Sequence, residues 1–228
     1  MAFRLDEIVP WGRLFEEYEA MFGLTGYHLA GHILGCGDGP AGFNAAASRR
    51  GHRVISCDPI YQLSAAEIDR RIRETYPIIM ERVRNNPEGF VWKSIRSPEH
   101  LGETRMTAMR QFLEDYARGR TDGRYVNAAL PALPFPDRAF DLALCSHLLF
   151  TYSDNLSFDF HLAALLEMCR LAEEVRVFPT LNIDGSPSIH LEPAVSALRK
   201  RGYRVELVPV DYEFQRGANR TLCIQTNQ

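Results

Sequence analysis

The chain has 228 residues, of which 46% are hydrophobic and 24% are charged, and its formal net charge is −3. This length and composition predict one domain with a full hydrophobic core. The charge argues against the strongly basic surface of nucleic-acid binders, and no apolar run is long enough to span a membrane.

The cysteines indicate a reducing compartment. Cys36, Cys57, Cys145, Cys169 and Cys223 are an odd set with no C-x-x-C spacing. Thiols buried near strand ends act as small apolar fillers, so neither a metal site nor disulfides are expected. Because the N-terminus does not resemble a signal peptide, we predict a cytoplasmic location.

Alternating helical and strand patterns predict an α/β domain. The first helix is expected over residues 10–22, where aromatic residues recur at helical spacing. Pro40 and Gly51 are typical of a helix start and stop. The predicted order is helix 10–22, an apolar strand from His32, helix 40–50, strand 53–58, helices 64–84 and 102–118, strands 125–129 and 140–146, helix 155–172, strand 174–180, helix 188–201, and two β-rich runs at 202–210 and 220–225.

The region between the second and third strands is long. A crossover between parallel strands needs only about a dozen residues, so residues 61–124 are interpreted as a helical insertion. Extra helices at the carboxyl edge of an open sheet often form a substrate pocket or a lid. The insertion, together with helix 10–22, is therefore a candidate cap, although an outer layer without substrate contact is equally compatible with the sequence.

The most informative segment is the glycine-rich turn after the first strand. Glycines allow a sharp turn and a close backbone approach to a ligand, and the following helix directs free N–H groups at the same place. Asp58 ends the next strand, at a spacing suited to binding two ribose hydroxyls. These features predict a cofactor that contains adenosine. Gly37-x-Gly39-x-x-Gly42 also satisfies the dinucleotide pattern, which is weak evidence when it stands alone.

Later residues favour a different cofactor. The stretch from Leu133 to Asp137 (Leu-Pro-Phe-Pro-Asp), followed by Phe140-Asp141-Leu142, resembles the approach to the fourth strand in class I S-adenosylmethionine (SAM) methyltransferases. Gly35-x-Gly37-x-Gly39 resembles the first motif of that family. The resemblance covers about residues 30–58 and 125–226. It implies a Rossmann-like three-layer sandwich whose seven-stranded sheet has an antiparallel last strand. The helical insertion between strands 2 and 3 is the chain's departure from the minimal pattern of that family.

The resemblance also implies a set of cofactor contacts. The glycines make room for the methionine part, Asp58 binds the ribose, and Pro59 and Ile60 flank the adenine. Relatives often have an aspartate where this chain has Ala129, so adenine recognition is expected to use backbone at Ala129 and Leu130, or Asn127. The predicted cofactor-binding residues are Gly35, Cys36, Gly37, Gly39, Asp58, Pro59, Ile60, Ala129, Leu130 and Ser146.

Two residues after the fourth strand are candidates for catalysis. His147 is the histidine nearest the expected sulfonium, and an imidazole can accept a proton near pH 7. A histidine bonded only to neighbouring backbone is an equally compatible interpretation. Tyr152 follows on a polar loop, where substrate-positioning groups commonly lie. No metal-ligand pattern is recognised.

The sequence therefore predicts methyl transfer from SAM to a small molecule, with no nucleic-acid or membrane partner. The oligomeric state is not predicted. One alternative is intramolecular cyclisation of SAM, as in azetidine-2-carboxylate synthases, where the amino group of SAM displaces methylthioadenosine. A catalytically inactive SAM-binding protein is a third possibility, because the fold alone does not decide the function.

Overall fold

A computed structural model describes residues 9–226 of the chain. In chain order the helices and strands are α1 (Phe15–Phe22), α2 (Gly26–Ala30), β1 (His32–Cys36), α3 (Phe43–Arg49), β2 (Arg53–Cys57), α4 (Ala65–Arg84), α5 (Pro98–Thr121), β3 (Tyr125–Val126), β4 (Phe140–Ser146), α6 (Phe158–Leu171), β5 (Ala172–Phe178), α7 (Leu191–Lys200), β6 (Arg204–Pro209) and β7 (Arg220–Gln225). Single 3₁₀ turns at Pro59–Gln62, Pro87–Gly89 and Phe150–Tyr152 connect some of them.

Within residues 9–226 the strands form one seven-stranded sheet in the order β3-β2-β1-β4-β5-β7-β6. The strands from β3 to β5 are parallel, whereas β7 is antiparallel to both β5 and β6. From β1, the sheet continues through β2 and β3 on one side and through β4 and β5 on the other. The direction in which successive strands are added therefore reverses between β1 and β4. In open parallel sheets, ligands bind outside the carboxyl ends of the strands at such a reversal.

Helices cover both faces of the sheet. Successive strand residues point to opposite faces: Leu34 packs in a core formed with α6 and α7, whereas Ile33 packs in a core formed with α1, α2 and α3. Strands buried on both sides are typical of parallel sheets. The predicted three-layer α/β fold with an antiparallel last strand is therefore confirmed.

The N-terminal segment differs from the prediction. The expected helix 10–22 begins only at Phe15, and residues 9–14 have no helical structure. Gly12 lies against the backbone of Pro40, where a Cβ atom would collide with its carbonyl. The carbonyl of Arg13 accepts a hydrogen bond from the Gly42 N–H at 2.9 Å. This packing against the glycine-rich turn holds residues 9–14, here called the N-terminal strap, out of the helix.

The ends of two other elements differ from the prediction for local reasons. Helix α3 begins at Phe43 because residues 37–42 continue the turn, so Pro40 is not its first residue. The expected strand 125–129 is limited to Tyr125–Val126, because the chain folds back at an isolated bridge between Ala129 and Ala132. The five-residue helix α2 was not predicted.

The insertion between β2 and β3 contains the two longest helices described here. Ser64 caps α4, its hydroxyl accepting the Glu67 N–H at 3.3 Å, and Ser97 caps α5 in the same way through His100. Helix α5 packs against α4 and α3. Its aromatic residues join Tyr61 and Tyr125 in a buried cluster, which attaches the insertion to the edge of the sheet.

Candidate cofactor and substrate cavity

A cavity of about 500 Å³ opens at the carboxyl ends of the central strands. Its floor is formed by the segments that follow β1, β2 and β4, and the N-terminal strap, α4 and the β6–β7 link contribute the other walls. The predicted site residues that line it are Gly37, Gly39, Asp58, Pro59, Ile60, Ala129, Leu130, Ser146, His147 and Tyr152. Gly35 and Cys36 were also predicted to bind the cofactor, but they do not line the cavity.

The turn after β1 depends on glycine at two positions. Gly37 and Gly39 have φ angles of +68° and +53°, a region that strains residues with a Cβ atom. A Cβ on Gly37 would also lie 2.5 Å from the side chain of Leu148. The Gly37 N–H donates to the carbonyl of Cys57 at 2.8 Å, which joins the turn to the end of β2.

Gly35 and Cys36 support this turn from below. Cys36 is fully buried in the core. Gly35 leaves space for the carboxylate of Asp38, which a Cβ atom would overlap. Asp38 accepts hydrogen bonds from Ser56 at 2.5 Å and Tyr18 at 3.0 Å. Burial raises the pKa of Asp38 to about 6, although these two hydrogen bonds oppose the change.

Asp58 stands at the end of β2, where its carboxylate is held by backbone groups. One oxygen accepts the Gly39 N–H and the other accepts the Ile60 N–H, both at 2.8 Å. Burial raises the pKa of Asp58, while these two hydrogen bonds oppose the rise. Each oxygen keeps a further lone pair, and the side chain lines the cavity. Asp58 can therefore accept hydrogen bonds from a pair of ligand hydroxyls.

Another part of the cavity wall follows β3. Ala128, Ala129 and Leu130 line the cavity, whereas Asn127 is exposed and lies outside the lining set. Of the two options that the sequence left open for this position, the geometry favours the backbone of Ala129 and Leu130. Pro59 and Ile60 line the same cavity.

Ser146 and His147 lie at the end of β4. His147 has a φ angle of +52°, and its N–H donates to the Phe178 carbonyl at 2.6 Å. Its Nδ1 is 2.9 Å from the hydroxyl of Ser146. Burial lowers the pKa of His147 well below its usual value, and the charges of Arg13 and Arg105 lower it further. The imidazole is therefore neutral at pH 7, and the same effects make it a weaker base than an exposed histidine.

Tyr152 is buried beneath the N-terminal strap. Its hydroxyl accepts the Val9 N–H at 3.3 Å, and burial raises its pKa, so the phenol is protonated at neutral pH. The neighbouring Thr151 also lines the cavity, and its buried hydroxyl has no hydrogen-bond partner among residues 9–226.

The sequence did not identify a buried polar cluster beside His147. Arg105 of α5 donates to Glu17 of α1 at 2.5 Å, and the Tyr212 hydroxyl donates to the other oxygen of Glu17 at 2.8 Å. Arg13 lies beside this group and, with Arg105 and Tyr212, lines the cavity. In the sequence, Arg105 is 88 positions from Glu17 and Tyr212 is 195 positions from it. No local sequence pattern therefore predicts that these residues meet.

The charges of this cluster follow from its geometry. Burial alone would lower the pKa of Arg105, but Glu17 raises it above the usual value. Burial would raise the pKa of Glu17, yet Arg105 outweighs that effect and lowers it. Burial and the nearby Arg105 lower the pKa of Arg13 to about 10. Both guanidinium groups and the carboxylate are therefore charged at pH 7, while burial raises the pKa of Tyr212 and keeps it neutral.

The described residues contain no group of three or more His, Cys, Asp or Glu side chains placed to hold a metal ion. All five cysteines are buried and free. Among the helices of residues 9–226, none combines the length and apolarity needed to cross a membrane.

The fold and the site together define a class. The strand order, the antiparallel β7, the glycine-rich turn after β1 and the acidic residue after β2 are those of the class I methyltransferase fold. The chain belongs to the family of the uncharacterized protein MJ0045 of Methanocaldococcus jannaschii, with which it is 31% identical over 222 residues that make up 97% of each protein.

No protein-family model matches the chain. Solved structures with a similar backbone include a SAM-dependent methyltransferase from Aquifex aeolicus, with a TM-score of 0.47, 14% identity, and coverage of 92% of this chain and 93% of that one. Another is magnesium protoporphyrin IX methyltransferase from Synechocystis with bound SAM, with a TM-score of 0.45, 11% identity, and coverage of 89% and 73%. The comparison with these two structures concerns the backbone fold alone.

Proposed function

We propose that the protein binds SAM in this cavity and transfers its methyl group to a small-molecule acceptor. The observation that supports this most directly is the carboxylate of Asp58, fixed by the Gly39 and Ile60 N–H groups at 2.8 Å and facing the cavity beside the glycine-rich turn. A carboxylate held in this way is suited to the two hydroxyls of a ribose.

The remaining parts of SAM fit the same wall. The adenine would lie between Ile60 and the backbone of Ala129 and Leu130, and the methionine part would extend past Gly37 towards Ser146. Glycine is needed at position 37, since a Cβ atom there would collide with Leu148, which lines the same cavity. When bound, SAM supplies an electrophilic methyl group on its sulfonium.

The protein's own residues then have two tasks. The first is to hold the acceptor in line with the methyl group, because alignment of two reactants supplies much of the rate enhancement in such transfers. The second is to remove the acceptor's proton where it has one. His147 is neutral and lines the cavity beside Ser146, so its imidazole is the proposed base.

We also propose that the insertion and the N-terminal strap act as the cap of this cavity. Arg71, Ile79 and Val83 of α4 line it, as does Leu101 of α5. Val9 closes it from the other side by donating to Tyr152. A cap that excludes water would keep the sulfonium and the acceptor in a site of low polarity.

One experiment tests the reaction class. The pure protein is incubated with SAM labelled with ¹³C in its methyl group, with and without a panel of small aromatic and aliphatic acceptors, and the products are separated by mass spectrometry. We expect S-adenosylhomocysteine and a labelled product in equal amounts, only when an acceptor is present.

The same experiment separates the alternative reaction. Methylthioadenosine and azetidine-2-carboxylate formed together from SAM alone, faster than SAM decays without the protein, would contradict methyl transfer and assign the cyclisation of SAM, for which the comparisons give no support. Asp58→Asn is the matched control, since either reaction should be lost with the ribose contact. Absence of SAM binding by calorimetry would overturn the proposal altogether.

A further inference from the structure

One half of the cavity has buried positive charge that the described residues do not balance. Arg105 is only 1% exposed, and its Nε has no hydrogen-bond partner within residues 9–226. The Nε of Arg13 is also buried and has no partner in the same part of the chain. A buried donor without a partner destabilises the folded protein, and more so when it is charged, so two of them beside a cavity indicate a missing ligand.

The charge count points to an anion. Glu17 is the carboxylate that bonds Arg105, and Asp38 bonds Tyr18 and Ser56 instead. Two guanidinium groups thus share one carboxylate, while the nearby His147 and Tyr212 are neutral. Buried charges are normally paired. A second negative group in the cavity would complete the pairing.

The walls around these arginines are apolar. The guanidinium of Arg105 lies 6.0 Å from the ring centre of Phe214. Trp11, Phe90 and Leu101 line the same cavity, and Phe90 stacks on Phe214 with ring centres 4.9 Å apart. A ligand for this half therefore combines a negative group with an apolar, preferably aromatic, body.

We propose that Arg105 and Arg13 bind the carboxylate of an apolar acceptor, which makes the methyl acceptor an aromatic or aliphatic carboxylic acid. This inference rests on the proposed methyl transfer. Arg105 of α5 donates to Glu17 of α1 and lies against the ring of Phe214 in the β6–β7 link, whereas the proposed SAM contacts follow β1, β2, β3 and β4. The proposal therefore assigns its free Nε to the carboxylate of the acceptor and not to that of SAM. A planar guanidinium edge matches the two oxygens of a carboxylate.

The carboxylate site can be measured without knowing the natural acceptor. Calorimetry at constant ionic strength compares phenylacetate and benzoate with phenylacetamide and benzamide, on the protein saturated with S-adenosylhomocysteine and on the protein alone. We expect the carboxylates to bind at least about tenfold more tightly than the amides, which corresponds to one charge-assisted hydrogen bond.

Variants assign the site to the arginines. Arg105→Lys keeps the charge but loses the Nε, and should weaken phenylacetate binding about tenfold while the affinity for S-adenosylhomocysteine stays within about twofold. Arg110→Lys is the matched control, because Arg110 is exposed on the same helix. If Arg105→Lys unfolds, the double variant Glu17→Gln with Arg105→Met removes the ion pair as a unit and serves the same purpose.

Each outcome decides the proposal. Equal binding of acids and amides, or tight binding of inorganic phosphate but not of the carboxylates, would overturn it. Loss of S-adenosylhomocysteine affinity in Arg105→Lys would assign this residue to the cofactor and would also overturn it. Carboxylate binding to a protein that fails to bind SAM would support the anion site while rejecting the proposed function, so the two failures are distinguishable.

Discussion

The hydroxyl of Tyr18 in α1 donates to the carboxylate of Asp38 in the glycine-rich turn, at 3.0 Å and in the buried interior. This contact joins the first helix to the turn that faces the cavity. Ser56 donates to the other oxygen of Asp38 at 2.5 Å and adds β2 to the same network. The turn is therefore supported from beneath by a single buried acidic group.

Asp38 gives the stability of the protein a distinctive pH dependence. Burial raises its pKa from 3.8 to about 6, so between those values the folded state binds more protons than the unfolded state. The free energy of unfolding contributed by Asp38 therefore falls by about 2 kcal/mol as the pH rises from 4 to 6. Asp38→Asn cannot ionise and should remove this fall, measured by urea unfolding at several pH values. Parallel curves for the two proteins would contradict the assignment.

Asp58 should determine cofactor affinity. Replacing Asp58 by Asn keeps an acceptor for one backbone N–H but removes the negative charge, so we expect S-adenosylhomocysteine to bind at least about tenfold more weakly, the range for hydrogen bonds to charged groups. Calorimetry measures this directly. Asp159→Asn, at an exposed position at the start of α6, is the control and should bind normally. An unchanged affinity in Asp58→Asn would place the ribose elsewhere.

The fold could be predicted because its signals are local. The periodicity of apolar residues and the cap at Ser64 depend on neighbours in the sequence, and the strands of the sheet were assigned with errors of at most three residues at either end. The strap was mispredicted because its conformation depends on Gly12 packing against Pro40, a contact between distant parts of the chain.

The candidate site also has one part that the sequence predicts and one part that it does not. The glycine-rich turn and Asp58 carry a recognisable spacing, and they lie together on the cavity. The cluster of Arg13, Glu17, Arg105 and Tyr212 has no such spacing, because each residue comes from a different element. Only the packing of α5 against the rest of the molecule brings these charges together, so the sequence could not reveal the anion site.

Gly35 should matter through Asp38 and not through direct ligand contact. In Gly35→Ala the new Cβ would overlap the Asp38 carboxylate, and overpacking of this kind costs about 1–3 kcal/mol. A double-mutant cycle with Asp38→Ala tests this, since removing the carboxylate frees the space. We expect the double variant to be clearly more stable than the sum of the single effects predicts. Strict additivity in thermal unfolding would show that Gly35 has another role.

The cap can be tested by hydrogen exchange. Ile79 and Val83 of α4 line the cavity, so amides of this helix should exchange more slowly once SAM is bound, because a cap closing over a ligand loses its local opening. Helix α7 contributes no residue to the cavity lining and provides the internal control. Protection confined to residues 35–39, with α4 unchanged, would mean that the insertion is an outer layer.

His147 and Tyr152 should affect turnover more than cofactor affinity. His147→Asn removes the proposed base, and Tyr152→Phe removes the hydroxyl that holds the strap at Val9. The histidine variant should lower kcat about 10²-fold, within the range of general acid–base groups, and the tyrosine variant should lower it less, by loosening the strap. The affinity for S-adenosylhomocysteine should stay nearly unchanged in both. Because the pKa of His147 lies well below its usual value, the acidic limb of kcat/KM should lie below pH 6.5 and disappear in His147→Asn. For SAM cyclisation the limb would belong to the ammonium of SAM and would survive this change. Full activity in both variants would move the proton transfer to another part of the cavity.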